Sequence, residues 1–177
     1  IFMAYRTPEL VHPDRYAINM MSMILSQGNS SRMNKTVVEE KELARFCVLF
    51  PFPLEHPGIS VSVAFALEGV ELMELEAAMD AEVEKLQNEL ISDEEMTKLH
   101  NMLESDFINS NSTMAGIAES LADYHVYEGN TDLINTELDK YLAVTKEDIQ
   151  RVAKTYFKKS NRVVLYYVPK ENEEEGK

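Results

Sequence analysis

The chain has 177 residues, 45% of them hydrophobic, with a net charge of −14 and a pI near 4.7. That length suffices for one domain with a substantial core, and so much negative charge excludes nucleic acid as a partner, because phosphates would be repelled. One cysteine excludes an internal disulfide framework and a cysteine-based zinc knuckle, and no apolar run approaches the ~18 residues of a membrane span. The acidity suits simple solubility and also basic peptides. The chain begins at Ile1, inside an apolar stretch and without an initiator methionine, as a fragment of a larger parent would.

Residues 2–6 alternate loosely and predict a strand that Pro8 ends. Pro13 suits the first turn of a helix over 13–27. Ala17, Met20, Met21, Ile24 and Leu25 make its buried face, Asp14 and Asn19 fall nearer solvent, and Gly28 closes it as a C′ glycine. Residues 30–41 are polar, with Val37 and Val38 to dock them. A second strand spans 43–50 and holds Cys47, a small hydrophobe among Phe46, Val48 and Leu49. Prolines and a glycine at 51–58 make a connection. The third strand, 59–67, puts Ile59, Val61, Val63 and Phe65 on one face, and the short connection predicts an antiparallel pair.

From Gly69 the period changes. Leu72, Leu75, Met79, Val83, Leu86 and Leu90 predict a long helix with an acidic outer face. Ser92 with Glu95 is a capping box that opens another helix over Met96, Leu99, Leu103 and Phe107. Residues 109–113 break it. Helix resumes through Ile117, Leu121 and Tyr124, turns at Gly129-Asn130, and continues over 133–142 with Thr131 as its cap. Thr145 with Asp148 caps a last helix whose apolar face is Ile149, Val152, Ala153 and Tyr156. Lys158 and Lys159 suit its C-terminus, and Ser160-Asn161 breaks it. Residues 163–168 are β-branched and aromatic, a buried strand stopped by Pro169. An acidic, solvated tail follows at 171–177. The order predicts an α+β fold, an antiparallel-rich sheet with helices packed on one face, in a single domain over 1–170.

Three blocks carry a resemblance. Gly28-Asn29-Ser30-Ser31-Arg32-Met33, I-S-D-E-E-M-T-K-L-H-N-M-L (91–103), and V-T-x-E-D-I-x-x-V-A-x-x-Y-F followed by N-R-V-V (144–164) resemble, in this order along the chain, segments of the pitrilysin/insulinase-type zinc metallopeptidases, specifically their C-terminal, non-catalytic domain. The resemblance implies the metallopeptidase, or mitochondrial-processing-peptidase-like, fold. It implies a homologous N-terminal catalytic domain or subunit as partner, a peptide as substrate, and zinc in the parent but no cofactor in this chain. In that family zinc is held by H-x-x-E-H on the first helix of the catalytic domain, with the Glu activating a metal-bound water. This sequence has no H-x-x-E-H, and its corresponding helix, 13–27, has no histidine.

No other constellation points to chemistry. His100 and Glu104 lie four apart on a helix but lack a third ligand, so they read as a solvent-facing pair. His12 and His56 precede prolines in loops, and His125 reads as an interior histidine. Active relatives carry an Arg and a Tyr after S-S-R-L that reach toward bound peptide, and the ungapped alignment puts Val38 and Arg45 there. Gly28 and Arg32 are the candidate contacts to peptide or to the other domain, with an ordinary salt bridge as the alternative for Arg32. The functional expectation is a non-catalytic domain forming one wall of a peptide chamber in a zinc metallopeptidase. The alternative is a structural or partner subunit without peptidase activity, acting through domain contacts. Nothing in the sequence names a compartment.

Overall fold

Strands distant in sequence pair into one antiparallel sheet, and they do so around the first of them. In the computed structural model, which describes residues 1–168, β1 (Phe2–Arg6) pairs with β3 (Ile59–Ala66) on one side and β4 (Arg162–Leu165) on the other. β2 (Ala44–Phe52) completes the order β2-β3-β1-β4. The alternation along β1 explains its central place. Met3 and Tyr5 point to one side and are buried, while Phe2, Ala4 and Arg6 point to the other. Pro169 and the 171–177 tail lie outside the described residues.

Helices cover the Met3/Tyr5 side. α1 (Asp14–Ser26) lies across β2, α6 (Lys146–Tyr156) packs beside it, and α2 (Leu72–Asn88) packs on α6. α3 (Asp93–Ser110), α4 (Met114–Asp123) and α5 (Leu133–Leu142) extend this layer. The core joins Met20, Met21 and Leu25 of α1, Leu75 and Met79 of α2, Ile149 and Val152 of α6, and Cys47 and Leu49 of β2. Flexible methionine side chains fill the irregular space between the helices and the sheet. The π-helical segment Asn34–Glu40 docks through fully buried Val37, with Val38 partly buried beside it.

Both capping boxes form. Ser92 Oγ accepts from Glu95 N at 3.1 Å while Glu95 Oε2 accepts from Ser92 N at 2.9 Å. Thr145 and Asp148 repeat the exchange at 3.1 Å each way. Asn161 terminates α6: its Nδ2 donates to Tyr156 O at 2.7 Å and to Arg6 O at 2.9 Å, hooking the helix end onto β1.

The structure departs from sequence expectation at several points. β4 stops at Leu165 and its outer residues are open to water, with Val163 73% exposed, so it is an edge strand and not a buried one. Asp14 is buried, not near solvent. Its carboxylate accepts from Arg151 Nη2 at 2.8 Å, Arg151 Nη1 at 3.1 Å and Tyr156 Oη at 2.7 Å, tying α1 to α6. Asn19 is half-buried and donates to Tyr141 Oη at 3.0 Å. Asp80 and Glu82 are buried within the stripe read as the acidic outer face of α2, because Arg162 and Lys159 reach Asp80 and Lys85 holds Glu82. α2 ends at Asn88, leaving Leu90 exposed. Thr131 does not cap α5; Asp132 occupies that position, without a side-chain hydrogen bond. His125 is exposed in the π-helical turn Tyr124–Glu128.

Candidate functional site

The side of the sheet away from the helices is a continuous apolar surface among the described residues. Its register lays the side chains out in rows that cross all four strands. One row is Val48, Val63, Phe2 and Leu165, and the next is Phe50, Val61, Ala4 and Val163. Beyond them Phe46 stacks on Phe65, ring centroids 6.0 Å apart, and Phe52 lies beside Ile59 and Arg6. Phe65 is 63% exposed and Phe52 53%.

The composition of β2 and β3 shows why this face matters. On β2 the inward residues Cys47 and Leu49 are apolar, and so are the outward ones, Phe46, Val48, Phe50 and Phe52. On β3 the asymmetry runs against the usual one. The small residues Ser60, Ser62 and Ala64 face the helices, and the bulky Ile59, Val61, Val63 and Phe65 face outward. Strands apolar on both faces belong to sheets covered on both sides, and a contiguous exposed apolar patch marks an interaction surface. A β-bulge at Arg45, between the pairs Ala44–Ala66 and Phe46–Phe65, swings the outward series of β2 into line.

The residues singled out from the sequence lie elsewhere. Gly28 follows α1 with φ of +78°, a left-handed conformation that lets the helix close and the chain turn back. Arg32, four residues on, grips Glu95 of α3 with both edges of its fork: Nε to Oε1 at 2.7 Å and Nη2 to Oε2 at 2.9 Å. The bidentate guanidinium holds the Glu95 carboxyl below the usual range, further helped by the Ser92 backbone N–H. Val38 is partly buried in the core margin, and Arg45 is the exposed bulge residue. His100 is half-buried on α3, not solvent-facing, and its Nε2 is a buried atom without a hydrogen-bond partner among the described residues. Burial pushes the Cys47 thiol up to about 12, and its Sγ lies 3.5 Å from Met33 Sδ.

Alternating bulky and small residues located both faces of β3 in the sequence, but the outward use of the bulky set was not read from it. The signal was there in β2, whose apolar residues fall on both parities.

This architecture, a four-stranded antiparallel sheet with helices on one side, defines a class. The profile of the peptidase M16 inactive domain matches residues 1–103, and the chain belongs to that family. A curated relative, the zinc protease PqqE of Helicobacter pylori, is 26% identical over 169 residues. The alignment takes in 96% of this chain and 38% of the relative, so the chain spans about two fifths of that protein's length. An inactive peptidase domain from Bordetella parapertussis superposes with a TM-score of 0.83 at 21% identity, covering 97% of this chain and 93% of that one. A chain of complex III2 from Candida albicans has the same fold at 13% identity, with a TM-score of 0.76 over 92% of this chain and 40% of its own length.

The zinc that a zinc protease requires does not fit the side chains present. Among the described residues no three of His, Cys, Asp and Glu gather into a group able to hold a metal ion. The helix that would have to supply ligands turns Met20, Met21 and Ile24 inward.

Proposed function

We propose that this chain is the non-catalytic domain of a larger zinc-dependent peptidase, with its open sheet face forming one wall of the chamber that holds the peptide. The observation that carries this reading is the apolar outward face of β2 and β3, whose composition suits a covered sheet although the described residues cover only one side. A homologous catalytic domain placed opposite would shield that face from bulk water, and it would supply the zinc and the carboxylate that activates water. Within the enclosed space Phe46, Phe50 and Phe65 would hold apolar side chains of an extended peptide. Gly28 and Arg32, on the turn after α1, are proposed as contacts to the neighbouring domain or to peptide, through the Arg32 edge that Glu95 leaves unused. The relationship to a zinc protease supports the reading, as does the family's description as an inactive domain.

The test is to place charge on the open face, as Val63→Asp and Phe65→Asp, in the full-length protein. The variants should retain the helical circular dichroism and the unfolding midpoint of this domain while losing at least ~10-fold in peptide hydrolysis. Undiminished hydrolysis by folded variants would overturn the chamber-wall role. The fold shared with a complex III2 chain favours a second reading, a domain that acts only through contacts with other subunits. Chelator-sensitive peptide hydrolysis by the full-length protein separates the two, since the second reading predicts none.

A further inference from the structure

A cavity of about 610 Å³ opens at one end of the sheet, on the helix side. That is well within the roughly 300–1,000 Å³ of sites that take small ligands or single side chains. It is bounded by the turn after β1, by α1, by the proline-rich loop after β2, and by α4, α5 and the π-helical turn between them.

Its inner end is built around Arg15. The Arg15 guanidinium donates to Leu10 O at 2.8 Å, to Tyr16 Oη at 2.6 Å, to Glu137 Oε1 at 3.0 Å and to the Glu128 carboxylate. Glu137 also accepts from the Tyr124 hydroxyl. These ionic side chains are enclosed, at 13% exposure for Arg15, 16% for Glu128 and 18% for Glu137. Two carboxylates therefore share one guanidinium in a low-dielectric setting, which strengthens the field of the unbalanced charge. Three more carboxylates, Glu9, Glu55 and Asp123, line the same cavity, and Arg15 is the only cation among its lining residues. Lys140 lies outside that lining, over the Tyr16 ring. The remaining walls are apolar or aromatic, including Pro8, Leu54, Tyr124 and Tyr127.

We propose that this cavity receives the basic end of an arginine or lysine side chain of a peptide bound at this end of the domain, an inference that goes beyond the reading of the chain as a chamber wall, since the cavity opens on the helix side and not on the open sheet face. The chemistry of the lining matches both halves of such a side chain. Proline, leucine and tyrosine surfaces pack against a methylene stem, and the phenol rings attract a cation as well. The excess carboxylates receive the charged head with charge-assisted hydrogen bonds. An acidic ligand would meet five carboxylates, and a purely apolar one would leave the charge of Glu9, Glu55 and Asp123 unanswered, since Arg15 already serves Glu128 and Glu137. A basic side chain is the class that satisfies the site. It would also give the parent a preference for basic residues that does not depend on its zinc site.

The experiment titrates the chain, followed by amide NMR, with acetyl-Gly-Arg-Gly-amide and with the same peptide carrying citrulline, which keeps the shape and removes the charge. The arginine peptide should shift resonances of Leu54, Tyr124 and Tyr127, and the citrulline peptide should bind at least ~10-fold more weakly. Glu55→Gln with Asp123→Asn, on the rim and away from the Arg15 cluster, should weaken arginine-peptide binding by ~5–10-fold without changing the unfolding midpoint. Equal binding of the two peptides, shifts confined to other parts of the surface, or no shifts at millimolar peptide would each overturn the proposal. The titration reads the cavity alone. If charge on Val63 left hydrolysis untouched while the arginine peptide still bound selectively, the chamber reading would fall and the cation site would stand; the reverse result would remove only the site.

Discussion

Arg32 and Glu95 meet as a two-bond fork, 2.7 and 2.9 Å, across 63 residues of sequence. The pair joins the turn after α1 to the first turn of α3. It also joins two of the three sequence blocks by which the chain resembles its family. Glu95 does double duty, because the oxygen that accepts from Arg32 Nη2 also accepts from the Ser92 backbone N–H.

Removing Glu95 as Glu95→Ala should therefore destabilise the chain by about 2 kcal/mol, combining a lost capping contact with a lost charge-assisted bond. A double-mutant cycle with Arg32→Ala should show coupling of about 1 kcal/mol. The acid limb carries the sign. The Glu95 carboxyl is lowered in the folded state, chiefly by Arg32, so its contribution is complete above the unfolded value of about 4.3 and fades as pH falls through the folded one. Chemical denaturation between pH 7 and 3 should show Glu95→Gln losing less stability on acidification than the parent. An identical pH profile for the two would contradict this.

Arg162 is enclosed at 5% exposure and holds Asp80 at 8%, with further bonds to Glu76 and to Tyr5 Oη at 3.0 Å. It pins the start of β4 to α2. Arg162→Ala leaves Asp80 buried with only Lys159, 3.1 Å away at the surface, and should cost about 3–5 kcal/mol. Adding Asp80→Ala should recover part of that loss, since the stranded carboxylate goes with it. Urea unfolding of both variants decides the matter, and a double variant no more stable than the single one would count against the account.

Ile24, 5% exposed under the sheet, should lose about 2–5 kcal/mol as Ile24→Ala, the usual cost of emptying an aliphatic site. Asn19→Ala, read from the sequence as nearly free of cost, should instead lose about 1 kcal/mol, because Asn19 Nδ2 donates to Tyr141 Oη at 3.0 Å. If the parent is a peptidase, activity per folded molecule should stay unchanged in Ile24→Ala. Full stability with lost activity would make α1 a functional surface.

Cys47 should resist thiol reagents. Burial raises its pKa to about 12, so at pH 8 the thiolate that reacts is scarce as well as shielded. Labelling followed by mass spectrometry should proceed at least ~100-fold faster in denaturant than in native buffer. Comparable rates would place the thiol at the surface.

What the sequence determined by itself were features set by neighbours along the chain. The capping boxes at Ser92 and Thr145, the C′ role of Gly28, and the periods of α1, α2, α3 and α6 rest on groups within a few residues of one another, whereas α6 ends at Tyr156, ahead of the break expected at Ser160-Asn161. The motif blocks carried the family, since a resemblance is read residue by residue. Tertiary structure alone decided which side of each alternation faces inward. Period 2 separates the two faces of β3 without ranking them, and Ser60, Ser62 and Ala64 turn inward because α1 and the core methionines already fill the space behind the sheet. It also decided the fate of charges. Asp14 and Asp80 look like solvent-facing residues in a helical pattern, yet each is buried, because an arginine 137 residues away reaches the first and one 82 residues away reaches the second. Pairing across such separations depends on how helices and strands pack, and no local period encodes it.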